Sequence, residues 1–127
     1  MAKYFTKTEI ACRCGCGIAH TTPEVEAAAD ATREDYGEPL VVNSWCRCPH
    51  HNEEVGGSRA SSHISTPAKP GVAIDFRIPG STPAEQAENR PRLEASMRRA
   101  GFNRIGIAKT FIHGDLDHTK PPATWHY

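Results

Sequence analysis

Three side chains are of the types that hold a hydrolytic metal: His63, Asp75 and His113. A zinc ion that activates water needs three protein ligands of imidazole or carboxylate type and one position left open. Water on such an ion ionises near neutral pH. His63 closes "RASSH", Asp75 interrupts the apolar run "GVAIDFRI", and His113 lies within "TFIHGD". Spacing alone leaves a second reading open, in which Asp75 is a solvent-facing strand carboxylate and the histidines are unrelated surface residues. Separation along a chain does not show convergence in space.

The other potential ligands are five cysteines: Cys12, Cys14 and Cys16 in one group, Cys46 and Cys48 in another. The odd number argues against a disulfide framework and for free thiols or metal ligands. Structural zinc sites mostly use Cys-x₂₋₄-Cys, and both groups here are Cys-x-Cys. The expectation is a reduced set of small packed side chains. A second, structural metal is the alternative.

The elements that must position these residues follow from local patterns. In "HTTPEVEAAADATREDYG", Thr22 suits an N-cap, Pro23 the first helical turn and Gly37 the stop. Val25, Ala28, Ala29, Thr32 and Tyr36 share one face of that helix. "PLVVNSW" reads as a strand, whereas "CRCPHHNEEVGGSRASSH" reads as irregular. In "GVAIDFRI", Val72, Ile74 and Phe76 alternate with Ala73, Asp75 and Arg77, which places Asp75 opposite the large apolar side chains. Thr82 and Glu85 read as a capping box with Pro83 at the first helical position. Pro91 is expected to break that helix, leaving a second piece from Arg92 to Ala100. Residues 103–117 read as two short strands in a hairpin, with Phe111, His113 and Asp115 on one face. "KPPATWHY" reads as an extended segment that packs Trp125 and Tyr127 back on the domain. The fold class is α+β, a small, mostly antiparallel sheet with flanking helices.

The 127 residues and zero formal charge bound the function. The length implies one domain, 1–127, and a monomer is expected. Charge balance gives no case for a nucleic-acid partner. No apolar run has the length of a signal peptide or a membrane span, so cytoplasmic synthesis without membrane insertion is expected.

Four segments in order resemble the zinc D-Ala-D-Ala carboxypeptidases and phage murein endopeptidases, whose fold is shared with the hedgehog signalling domain. They are "KYFTKTEIACRCGCG", "VVNSWCRCPHHNEEVGGSRASSH", "GVAIDF" and "TFIHGD". The resemblance implies Zn²⁺ on His63, Asp75 and His113. It implies Arg47 as the clamp for a substrate carboxylate, a role its planar two-pronged head suits. Ser61 would hold backbone or substrate beside the ligand loop, and His51 and Asn52 would organise the loop of Arg47. The implied substrate is the peptide stem of peptidoglycan, cut at D-Ala-D-Ala or at an L-Ala-D-Glu-type bond. The implied setting is a phage or prophage lysis enzyme that acts on the wall after release.

Two features depart from that family's pattern. Eleven residues separate His63 from Asp75 where six are usual, so "STPAKP" reads as an insertion at the cleft rim. The positions that commonly carry a base before the last ligand are Thr110 and Phe111. Asp115 is then the first candidate base, with orientation of His113 as its alternative role, and His126 is the second candidate. A non-catalytic, zinc-stabilised binding domain is the alternative for the whole chain.

Overall fold

The computed structural model describes residues 2–127. Short helix α1 (Lys7–Ile10) opens with a full capping box between Thr6 and Glu9 and turns Ile10 inward. Helix α2 (Pro23–Tyr36) begins at the Thr22 cap and ends at Gly37, whose φ of 82° is the left-handed conformation glycine adopts without strain. Its buried face is Val25, Ala28, Ala29, Thr32 and Tyr36. Strand β1 (Val42–Ser44) follows, then α3 (Pro49–Glu54).

α3 lies where an irregular stretch was expected. Its start is specified locally: Cys48 caps it, with the sulfur accepting from the His51 N–H, and Pro49 takes the first helical position.

Strand β2 (Ala73–Arg77) leads to α4 (Pro83–Arg99). Thr82 caps α4 through the Glu85 N–H, but the Glu85 carboxylate accepts from Ser81 N–H. α4 also runs unbroken through Pro91, against expectation. Pro91 and Ala87 are exposed, so the carbonyl left without a helical donor faces water. Buried Gln86, Leu93, Ser96 and Met97 hold the helix on either side.

Strands β3 (Arg104–Ile107), β4 (Phe111–Asp115) and β5 (Ala123–His126) complete a five-stranded sheet of order β1-β2-β4-β3-β5. All pairs are antiparallel except β3–β5. The extended C-terminal segment is thus a true edge strand. Ile74, Phe76, Ile105, Ile107 and Ile112 join Leu93, Met97, Val25 and Trp45 in the core. Among the described residues no helix is long and apolar enough to cross a membrane.

Because side chains alternate across a strand, the residues between these core positions emerge on the other face. There Asp75 pairs in register with His113, His113 with Gly106, and Gly106 with Trp125. One row of the sheet therefore carries two of the expected ligands side by side.

Candidate metal centre and its cleft

His63 reaches the row from a loop, and backbone pairing holds that loop in place. Arg47 N–H donates to His63 O (2.9 Å), Ser65 N–H to Arg47 O (2.7 Å) and Val72 N–H to Ser62 O (2.8 Å). Arg47 and Ile64 form a parallel bridge. Ser61 Oγ accepts from the His63 N–H at 3.2 Å. Beyond the loop, Ser62 Oγ donates to Asp117 Oδ2 at 2.8 Å, tying it to the exit of β4. Burial favours the protonated form of Asp117, but hydrogen bonds from Thr119 and Ser62 outweigh it and hold the carboxyl below its usual range.

The ligand atoms of His63, Asp75 and His113 all lie within 4.8 Å of one another. His63 Nε2 is 3.1 Å and His113 Nδ1 is 3.0 Å from the same atom, Asp75 Oδ1. Each imidazole uses its other nitrogen outward, His63 Nδ1 to Trp45 O (2.8 Å) and His113 Nε2 to Asp115 Oδ2 (2.7 Å). Both outward partners can only accept, so both outward nitrogens carry the proton. In the neutral rings the inward nitrogens are then lone pairs aimed at a carboxylate oxygen. Three lone-pair donors facing one another repel unless added protons or a cation sits among them, and two nitrogens with one carboxylate are a donor set that zinc accepts. The residues fit the ion. Burial works against the charge on Asp75, but His113 and His63, when they carry protons on their inward nitrogens, outweigh it by hydrogen bond and charge and hold its pKa far below the ordinary value. For His113, burial lowers the pKa, yet Asp115 and Asp75 together raise it.

The centre forms one wall of a cleft of about 440 Å³, which also takes in Arg47, Ser61, Arg104, Asp115, Trp125 and Tyr127. Arg47 Nη1 donates to Asn52 Oδ1 (3.0 Å), and Asn52 Nδ2 to Ser58 O (3.0 Å). Gly57 leaves room for that pair, since a methyl group there would collide with Asn52 Oδ1 and Arg47 Nη1. Arg47 Nε is buried without a hydrogen-bond partner among the described residues. Burial lowers the pKa of this guanidinium, and the nearby Asp75 carboxylate partly counters it.

Asp115 is 1% exposed and both its oxygens are engaged. Oδ2 meets His113, while Oδ1 accepts from Asp117 N–H (3.1 Å) and lies 3.0 Å from Arg104 Nε. His126 is not in the cleft. It lies beside Arg90, Ile107 and Ala108 in a separate shallow groove. Alternation along β5 sends Trp125 and Tyr127 inward and His126 to the other side. The "STPAKP" segment is not at the rim either. Thr66 and Lys69 close a turn on themselves, and Ser65 Oγ binds His20 O, so residues 65–70 line no part of the cleft.

Arg104, Trp125 and Tyr127 are cleft residues; from the sequence the two aromatics were expected to pack back on the domain, and none of the three was placed in the site. Arg104 stacks on Trp125 at 5.3 Å, and Trp125 lies 5.3 Å from the His113 ring. The available signal was Gly106. A Cβ there would stand 2.5 Å from the Trp125 ring, so the glycine opens the berth for it.

Fold and site together define an α+β domain with a two-histidine, one-carboxylate candidate metal centre set on its sheet. The family model of Peptidase M15 matches residues 3–115, and the chain belongs to that family. No curated protein and no solved structure matches it.

Proposed function

We propose that this chain is a zinc peptidase that hydrolyses the peptide stems of bacterial peptidoglycan, as a D-Ala-D-Ala carboxypeptidase or an L-Ala-D-Glu-type endopeptidase. We place it in phage or prophage lysis, acting on the wall once released. Membership of the peptidase family supports the reaction type. The observation that carries the substrate reading is Arg47, whose guanidinium lines the cleft of the His-Asp-His centre with its Nη1 held by Asn52 Oδ1. A guanidinium fixed in that position suits a carboxylate of the stem peptide, which it pairs with charge assistance.

Zinc held by His63, Asp75 and His113 would supply Lewis acidity toward the scissile carbonyl and a water that ionises near neutral pH. The protein's own groups do the rest. Arg47, steadied by Asn52, binds the substrate carboxylate and sets which amide lies over the centre. Trp45 O and Asp115 hold protons on the outward nitrogens of His63 and His113, which keeps the inward lone pairs directed at the metal position. Asp115 acts through His113 and is a positioning residue, buried with Oδ2 on His113 and Oδ1 on the Asp117 amide. Trp125 and Tyr127 wall the cleft.

The burial of Asp115 against His113 also favours the second reading, a non-catalytic binding domain, because it leaves no exposed carboxylate beside His113. Zinc-loaded protein incubated with purified peptidoglycan and with D-Ala-D-Ala-terminated stem peptides decides between them. New amino groups, absent with His113→Ala, are expected. Sedimentation with peptidoglycan without amino-group release at any pH would overturn the enzyme in favour of the binding domain. Arg47→Lys keeps the charge and loses the fork, which is expected to lower kcat/KM by roughly 10- to 100-fold with zinc content unchanged.

A further inference from the structure

Away from the cleft, the chain brings four of its five cysteines to one point. The sulfurs of Cys12, Cys14, Cys16 and Cys48 all lie within 4.8 Å of one another. Cys12 Sγ is 3.4 Å from Cys14 Sγ, and Cys14 Sγ is 3.7 Å from Cys48 Sγ. A disulfide requires about 2.05 Å. Four thiolates around one zinc, with bonds of about 2.3 Å at tetrahedral angles, stand about 3.8 Å apart. The observed spacings are close to that tetrahedral edge.

Packing does not account for the group. Cys14 and Cys16 are exposed, so they bury no apolar surface where they stand. Between residues 11 and 20 only Cys12 is buried, and the segment has no helix or strand of its own. Its shape is a tight knuckle. Gly15 and Gly17 take φ of 86° and 82°, Gly15 N–H donates to Cys12 O (3.3 Å), and Cys12 N–H donates to Ile18 O (2.8 Å). The glycine at 15 turns the chain between Cys14 and Cys16, so a Cys-x-Cys spacing can present both sulfurs on one side. Two backbone amides already donate to sulfur, Cys48 N–H to Cys12 Sγ and His51 N–H to Cys48 Sγ, both at 3.3 Å. Such donors stabilise metal-bound thiolates. Cys46 stands apart, buried, with its thiol toward His20 O at 3.4 Å.

We propose that Cys12, Cys14, Cys16 and Cys48 form a second, structural tetrathiolate zinc site, with Cys46 outside it. All four positions are filled by protein, so the site is closed to substrate. Its consequence falls on the cleft. Cys48 is the residue after Arg47 and caps α3, and α3 carries the Asn52 that holds the Arg47 guanidinium. The metal therefore ties the N-terminal knuckle to the segment that positions the carboxylate clamp.

The test counts metals and thiols on the whole chain, reduced and then dialysed with zinc. Two zinc ions per chain are expected, with one retained in His113→Ala and one retained in the Cys14→Ser/Cys16→Ser double variant. Cobalt-loaded His113→Ala protein should show thiolate-to-cobalt charge-transfer absorption in the near ultraviolet. The double variant should lack that absorption. If the double variant fails to fold, thiol reactivity of the wild-type chain decides. Cys14 and Cys16 should resist a thiol reagent in the metal-loaded protein and react promptly after chelation. One zinc per chain with no charge-transfer band, prompt reaction of the exposed thiols in zinc-loaded protein, or a disulfide in the reduced preparation would overturn the site. These readouts are independent of peptidoglycan hydrolysis, so failure of the proposed activity leaves them intact.

Discussion

At the scale of single residues, the centre depends on acceptors that lie behind its ligands. His113 would be a poorly directed ligand without Asp115, whose Oδ2 at 2.7 Å fixes both its tautomer and its ring plane. Asp115→Asn keeps the shape but turns a charged acceptor into an amide. Zinc affinity is expected to fall roughly 10- to 100-fold, measured by competition with a chromogenic chelator. Activity should return at high zinc concentration. Unchanged zinc affinity with lost turnover would instead make Asp115 the proton acceptor. The types and alternation of these residues were legible in the sequence: Asp75 and His113 share the face opposite Ile74, Phe76 and Ile112. What Asp115 does was not legible, because Arg104 and the Asp117 amide engage its oxygens only after β3 and β4 pair.

At the scale of elements, α4 shows a local rule overridden by context. Pro91 removes a helical donor and ordinarily breaks a helix. Here α4 packs along α2, Leu93 and Met97 are buried in the core, and Arg92 stacks on the Tyr36 ring at 4.6 Å. The cost of the proline remains, although the helix persists. Pro91→Ala restores the missing N–H on an exposed face and is expected to stabilise the fold by about 1–2 kcal/mol, net of the greater freedom it gives the unfolded chain. Thermal or urea unfolding would measure it, and a lowered Tm would show that the proline is relieved in some other way. α3 is the converse case, six residues of helix within a stretch rich in turn formers. Cys48 is an uncommon cap, and residue preference alone does not nominate it.

At the scale of the molecule, the cleft exists because β5 returns beside β3 and lays Trp125 over Gly106. Gly106→Ala would place a methyl group 2.5 Å from that ring. The expected result is destabilisation by about 1–3 kcal/mol, with a shifted Trp fluorescence spectrum and reduced kcat/KM as the cleft wall moves. An unchanged Tm and spectrum would mean that β5 shifts freely, and that the wall is not built as described.

By itself the sequence determined the types of the candidate ligands, the caps of α2 and α4, the strands and the face on which Asp75 and His113 emerge. These depend on periodicities of 2 and 3.6 residues and on cap chemistry within a turn. Only the tertiary structure decided that His63 reaches Asp75 from a loop, that His126 lies outside the cleft, and that the 65–70 segment turns away from it. It also decided that Cys48, and not Cys46, joins the N-terminal cysteines. Each of these outcomes depends on strand order, register and loop pairing between residues tens of positions apart, and no local period carries that information.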